Sequence, residues 1–219
     1  YNMTKYALIT DFDGTITTKD IGNALCIHYG LTSPEKIEKA YNSKADAREW
    51  MKNHFGSVKT TKEEFEKIIL EKALVRHGFR DLCLYAKKHD IPFEIASGGL
   101  DIYIKPVLEA FDCTQIKIGS VKGVIRPEGI EVTFPDYNGL TMEAFKEYRV
   151  KHYKKEGRKV IFFGDGPGDF EAALSADIVF ATSRLEALLQ ERGIQYIHFD
   201  DYTLALDLVR GKDVSVSAV

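Results

Sequence analysis

Three chemically distinctive clusters, each set directly after a short apolar run, constrain this chain more than any other feature. Tyr6–Thr10 runs into Asp11-Phe-Asp13-Gly14-Thr15, Pro92–Ala96 into Ser97-Gly98-Gly99, and Val160–Phe163 into Gly164-Asp165-Gly-Pro-Gly-Asp169. Runs that are apolar throughout, rather than on alternate residues, predict strands buried on both faces. Further runs at Ile116–Ile118, Asp177–Ala181 and Gln195–Phe199 alternate with helical periods at Phe79–His89, Asp101–Phe111, Met142–Glu156, Asp169–Ser175 and Leu185–Glu191. The alternation predicts an α/β fold, a doubly wound parallel sheet covered by helices on both faces.

Two segments interrupt the alternation. From Thr18 to Gly78 there are only helical periods: Ile21, Ala24, Leu25 and His28 share one face, and Gly30 stops that helix. Thr61 and Glu64 form a capping box that opens a second helix, with Phe65, Ile68, Ile69 and Leu74 expected on its apolar face. An inserted helical subdomain is therefore expected over residues 18–78, with a core made of residues 1–17 and 79–219. In Val121–Phe134 the residues Ile130, Val132 and Phe134 alternate around Arg126-Pro-Glu-Gly129, which predicts a small β-hairpin.

Charge and cysteine usage narrow the class of partner. With 30 basic against 33 acidic residues, a net charge of −3, nucleic acid is not an expected partner. No run approaches the roughly 18 apolar residues of a membrane helix, and Tyr1–Tyr6 lacks the apolar stretch of a secretory leader. A cytoplasmic chain is expected; Tyr1 and Asn2, which precede Met3, are left out of the reading. Cys26, Cys83 and Cys113 lie far apart, without metal-ligand spacing, and read as small buried hydrophobes.

In a parallel α/β sheet, ligands bind beyond the carboxyl ends of the strands, where Asp11, Asp13, Asp165 and Asp169 would gather. Carboxylates this close repel one another and retain their protons unless a cation intervenes, and dense hard oxygen ligands suit Mg²⁺. Ser97-Gly98-Gly99 leads into Asp101, expected to cap a helix whose free N–H groups would hold a phosphate. Carboxylates, Mg²⁺ and a phosphate cradle together describe phosphoryl transfer to an aspartate.

These motifs resemble, in order and type along the whole chain, motifs one, two and four of the haloacid dehalogenase superfamily. That resemblance implies a Rossmann-like core with a helical cap between motifs one and two. It further implies that Asp11 is nucleophile and magnesium ligand, that Asp13 is general acid and base, and that Asp165 binds the metal beside Asp169. Asp13 is also expected in the metal site, and Thr15, Ser97 and Gly98 around the phosphate. Dehalogenases lack the second aspartate, so Asp13 favours a phosphatase or phosphomutase. Motif three is a lysine; Lys146, near the start of its helix, is the choice, with Arg149 and Lys151 as alternatives, while Lys154 and Lys155 look like partners of the helix C-terminus.

The chain resembles the phosphoserine phosphatase branch and, through Ile91–Glu109 and Arg76-His-Gly-Phe-Arg80, more closely a methionine-salvage phosphatase branch. The stretch before motif three reads Phe134-Pro-Asp-Tyr-Asn-Gly139 and lacks the cysteines of bacterial salvage members. Asp20 stands where phosphoserine phosphatases place a glutamate against the substrate ammonium, and it reads equally as a plain helix N-cap. Trp50, His54 and Arg48 are further cap candidates, although Trp and His at helical spacing are more often core. The expected partner is a small phosphorylated metabolite, either a salvage-type sugar-derived phosphate or an amine-bearing phosphomonoester. A phospho-receiver domain would place adjacent acids after the first strand and carry no 60-residue insert, and a non-catalytic binding protein would not need every carboxylate of turnover.

Overall fold

A computed structural model of the chain describes residues 6–43 and 46–212. Residues 1–5, 44–45 and 213–219, including both ends of the expected core, lie outside the described residues. The elements are β1 (Tyr6–Thr10), α1 (Ile21–His28), α2 (Pro34–Asn42), α3 (Ala47–Phe55), α4 (Lys62–Lys72), α5 (Phe79–Lys88), β2 (Phe93–Leu100), α6 (Asp101–Ala110), β3 (Lys117–Arg126) and β4 (Gly129–Thr133). They continue with α7 (Met142–Lys155), β5 (Lys159–Gly164), α8 (Phe170–Ser175), β6 (Ile178–Ala181), α9 (Ser183–Glu191), β7 (Ile197–His198) and α10 (Thr203–Val209).

The strands form one seven-stranded sheet in the order β4-β3-β2-β1-β5-β6-β7, parallel except for the β3–β4 pair. From β1 the chain winds outward through β2 and β3, then returns to β5 and winds the other way. That reversal puts the switch point, and the crevice it opens, at the carboxyl end of β1.

Period-two geometry divides the apolar strand residues between two cores. Ala7, Ile9, Val160 and Phe162 pack with Val150, Ala172, Leu185 and Leu189 of α7, α8 and α9. Leu8, Ile161 and Phe163 pack with Phe79, Ile104 and Leu206 of α5, α6 and α10, in a cluster that extends to Leu25, Phe55, Phe65 and Ile69 of the helices between β1 and α5. Cys26, Cys83 and Cys113 are buried free thiols.

Four details differ from the sequence expectation. The run at Ile116–Ile118 and the first hairpin strand are one continuous strand, β3, whose outer half pairs with β4 around Pro127-Glu128. Ser97-Gly98-Gly99 lies within β2 rather than after it: Ser97 pairs with Ser120 and Leu100 with Val121, so two residues bulge from the ladder. Asp101 does not cap α6. Leu100 holds the N-cap position, and the Asp101 carboxylate accepts from Gly123 N–H at 3.0 Å and pairs with Lys105 at 2.8 Å, because the bulge carries it toward β3. Leu74 is 59% exposed: α4 ends at Lys72, and the C-cap Ala73, at ψ 88°, takes the chain out of helical register.

Along α7, Lys146, Arg149 and Tyr153 share the face toward the sheet, at helical spacing. Lys146 reaches the carboxyl edge, whereas Arg149 lies deeper and grips the fully buried Glu94 of β2, with Nε–Oε1 and Nη2–Oε2 both at 2.9 Å. Tyr153 adds a further bond, donating to Glu94 Oε2 at 3.1 Å. A buried pair adds little against an apolar replacement, but removing one partner strands the other charge. Glu94→Ala is therefore expected to lower unfolding free energy by about 3–5 kcal/mol in urea denaturation; a loss below about 1 kcal/mol would mean that the guanidinium regains water.

Candidate active site

The carboxyl ends of β1, β2 and β5 bring the expected residues into one crevice. Asp11 follows β1, whose neighbour β5 delivers Asp165, and the 3₁₀ turn Pro167–Asp169 folds Asp169 back beneath it. Asp11, Asp165 and Asp169 each offer a carboxylate oxygen within 4.8 Å of the others, a group able to hold a metal ion. Lys146 Nζ lies 2.7 Å from Asp11 Oδ2 and 2.7 Å from Asp169 Oδ1. The two alternatives to Lys146 are engaged elsewhere, Arg149 on Glu94 and Lys151 on Glu147.

Main-chain donors orient the acids. Asp11 Oδ1 accepts from Phe12 N–H at 2.6 Å, and Asp169 Oδ2 accepts from Asp165 and Gly166 N–H, both at 3.1 Å. Asp169 thereby shapes the loop that carries Asp165. Thr15, expected at the phosphate, donates its hydroxyl to Asp165 Oδ1 at 2.8 Å. Gly14 has φ +75°, and a Cβ there would lie 2.4 Å from Asp165 Oδ2, so both backbone conformation and space require glycine. Arg76 braces this loop from behind, donating to the carbonyls of Thr15 (2.9 Å), Gly14 (3.1 Å) and Asp200 (2.9 Å) with its guanidinium over Phe199.

Asp13 stands apart from the three-carboxylate group. Its Oδ1 accepts from Ile21 N–H at 2.7 Å and its Oδ2 from the Tyr103 hydroxyl at 2.6 Å. Ser97 is buried and its hydroxyl accepts from Gly99 N–H at 3.0 Å, while Gly98 has open space where a Cβ would be. Asp20 does cap α1, accepting from Asn23 N–H at 2.7 Å, and it also lines the cavity beside Tyr41.

Negative charge is in excess here. Burial, then the charge of Asp20, pushes the Asp13 carboxyl well above the usual range, and burial raises Asp20. Burial together with Asp11 and Asp169 lifts Asp165 to about 7. Burial opposes the charge on Lys146, but Asp11 and Asp169 outweigh it and hold the ammonium above its ordinary range. Three clustered carboxylates with one ammonium suit a hard divalent cation, the donor chemistry of a magnesium site.

Above the acids opens a cavity of about 620 Å³. Ile37, Ala40, Trp50, Met51 and Phe55 form its far wall, and Asp20, Asn23, Tyr41 and Glu143 add polar groups. A second compartment, reached past Asp11 and Met51, runs toward Arg48, Phe134 and Tyr137. Trp50 thus faces the cavity, Arg48 faces the second compartment, and His54 stacks on Trp50 at 4.1 Å. Tyr103, Tyr41 and the apolar wall other than Trp50 escaped the sequence reading. For Tyr103 the available signal was its position four residues after Gly99, one helical turn beyond the glycine pair.

The profile of the haloacid dehalogenase-like hydrolases matches residues 8–174. A 2-hydroxy-3-keto-5-methylthiopentenyl-1-phosphate phosphatase of Lysinibacillus sphaericus is 30% identical over 215 residues, 94% of each chain. One of Exiguobacterium sibiricum is 26% identical over 216 residues, 94% of this chain and 97% of the relative. A substrate-bound phosphoserine phosphatase shares the fold with a TM-score of 0.69 at 18% identity, covering 97% of this chain and 100% of the other. A phospho-aspartyl intermediate analogue of phosphoserine phosphatase gives 0.70 at 16% identity, covering 96% and 100%.

The proton on Asp165 makes metal affinity depend on pH. Its carboxyl releases the proton near 3.9 in the unfolded chain but near 7 in the folded one, so the metal-free fold loses stability as pH rises between those values. A cation must displace that proton below 7 but finds the carboxylate free above it. Magnesium is therefore expected to raise Tm more at about pH 8 than at about pH 6; an equal increase at both would remove Asp165 from the ligands.

Proposed function

The chain belongs to the haloacid dehalogenase-like hydrolases, and we propose that it hydrolyses a small phosphomonoester with an uncharged, apolar-ended arm. A methionine-salvage-type sugar phosphate, of the kind named for its relatives, has that chemistry. The observation that carries this reading is the cavity wall. Trp50, Met51, Phe55 and Ile37 face the reaction edge, and among the described residues lining that cavity there is no Lys, Arg or His. Phosphoserine would bring a carboxylate against this wall, which the cations of the adjoining compartment, Arg48 and Lys146, do not line, and burying an unpaired charge is strongly unfavourable. Its ammonium has a partner in Asp20, which keeps amine-bearing phosphomonoesters as the second reading.

In this reading residues 18–78 form a cap over the core of residues 1–17 and 79–219. An oxygen of Asp11 attacks phosphorus, the bond from phosphorus to the leaving oxygen breaks, and Asp13 gives that oxygen its proton. Water then attacks the phosphoaspartate while Asp13 takes the proton back. Lys146, Ser97 and the Gly98 N–H receive the phosphoryl oxygens, and Thr15 holds Asp165 at the edge of the same cradle. Asp11 and Asp165, with Asp169 behind them, would hold Mg²⁺, which when bound supplies positive charge against the phosphoryl oxygens. The Asp13 side chain is reserved for proton transfer by its two hydrogen bonds.

Two experiments test this reading. Asp11→Asn is expected to lose at least about 10³-fold in kcat on every phosphate ester, as is removal of magnesium, whereas Asp13→Asn should lose about 10²–10⁴-fold. With nitrophenyl phosphate, Asp13→Asn should also build up phosphoenzyme in rapid-quench experiments; near-normal turnover by Asp11→Asn would end the phosphoaspartate mechanism. For substrate choice, kcat/KM is expected to be at least about tenfold higher for a neutral-armed sugar phosphate than for phosphoserine. Asp20→Asn, which keeps the N-cap, should lower kcat/KM for that sugar phosphate and spare nitrophenyl phosphate. The same ratio in variant and wild type would make Asp20 purely structural.

A further inference from the structure

Both hydrogen bonds to the Asp13 carboxylate come from outside the acidic and glycine motifs, and one of them comes from a side chain. Tyr103, 2% exposed on the first turn of α6, donates its hydroxyl to Asp13 Oδ2 at 2.6 Å. Its ring lies between Phe12 and Phe55, at centroid distances of 6.0 and 6.4 Å. A phenylalanine would fill that apolar slot equally well; what tyrosine adds is a single donor aimed at one carboxylate oxygen.

The neighbouring glycine shows how closely the backbone accommodates this bond. A Cβ on Gly99 would lie 2.3 Å from the Tyr103 hydroxyl oxygen and 2.5 Å from Asp13 Oδ2. Gly99 is not among the residues with positive φ, so the requirement for glycine is one of space: the hydrogen bond occupies the volume a side chain would take. At Gly98, by contrast, the same position is open.

The Asp13 carboxylate is thus tethered from two sides, at Oδ1 by the Ile21 N–H that begins α1 and at Oδ2 by Tyr103 from α6. Two donors on different oxygens set both the place and the plane of the group, whereas one would leave it free to swing about its last bond. An acid that must hand a proton to a leaving oxygen, and later take one from water, depends on that plane. We propose that Tyr103 is a positioning residue for Asp13, holding its carboxylate in the orientation for proton transfer; this rests on the acid–base reading of Asp13 above. Because Tyr103 lies four residues after Gly99, where β2 passes into α6, one continuous segment carries both the phosphate cradle and the tether on the proton donor.

The test is Tyr103→Phe, which keeps the ring and removes the hydroxyl, assayed with magnesium on a glycerol phosphate and on nitrophenyl phosphate. An alkoxide needs the proton to leave and a nitrophenolate does not. The expected loss is ~10- to 100-fold in kcat on glycerol phosphate, with KM and the rate of phosphoenzyme formation from nitrophenyl phosphate within about threefold of wild type. Phosphoenzyme should accumulate with nitrophenyl phosphate, since water activation needs the same carboxylate. Equal losses in the rate of phosphoenzyme formation from both substrates, no loss on either, or a lowered Tm without that split would each overturn the proposal. If Tyr103→Phe fails to fold, Tyr103→Met, which also removes the hydroxyl and fills an apolar slot adaptably, should give the same split, whose absence overturns it. Wild-type protein that forms no phosphoenzyme would overturn the reading of Asp11 and Asp13, and the proposal with it; phosphoenzyme in wild type without the split overturns the proposal alone.

Discussion

The double ion pair of Lys146 with Asp11 and Asp169 is the contact on which the site depends. Three carboxylates from the ends of β1 and β5, Asp11, Asp165 and Asp169, are drawn together by the fold, and among the described residues Lys146 is the only basic side chain paired with any of them. At 2.7 Å in a buried setting each pair is strong, yet two acids on one ammonium still leave net negative charge. Burial, and then that residual charge from Asp11 and Asp169, lift the Asp165 carboxyl to about 7. The edge is thus built to take additional positive charge, and its geometry is sustained before any arrives by N–H donors to Asp11 and Asp169.

Much of this was legible because chemistry and topology coincide in the sequence. A strand buried on both faces reads as an unbroken apolar run, and whatever follows it in a parallel sheet lies at the binding edge; Asp11, Ser97 and Asp165 could therefore be placed without knowing their partners. Lys146 was separable from Arg149 by its place in the helix: one turn from the N-terminus reaches the carboxyl edge, and nearly two turns reach Glu94 instead. A helix end was harder to read. Leu74 fits the apolar period of α4, but the period continues on paper after the backbone has left the helix at Ala73.

What stayed hidden is what depends on packing between distant segments. Nothing local to Asp101 reveals that its carboxylate will stitch to Gly123 rather than cap its own helix, since the bulge at Gly98 and Gly99 decides where it points. The pairing of Tyr103 with Asp13 spans 90 residues, and the apolar wall gathers Ile37, Trp50 and Phe55 from two different helices. Each residue alone reads as ordinary core. Only their convergence over the carboxylates makes the wall a statement about what the cavity can accept.

That convergence is tied mechanically to the acids. The first helix after the loop that carries Asp11 begins at Ile21, whose N–H binds Asp13, while Asp20, one residue earlier, caps the same helix. The N-terminus of α1 is therefore an anchor point shared by the proposed cap and the proposed proton donor. The anchor is reinforced by the bridge between Thr17 and Val75, which joins the two ends of the helical segment, and by Arg76, which holds the carbonyls of Gly14 and Thr15 as the chain re-enters the core. Entry and exit of the segment thus sit against the Asp11–Thr15 loop itself. A shift of these helices would be felt first at Asp13 and Gly14, so the cavity wall and the carboxylates beneath it share one frame rather than a flexible tether.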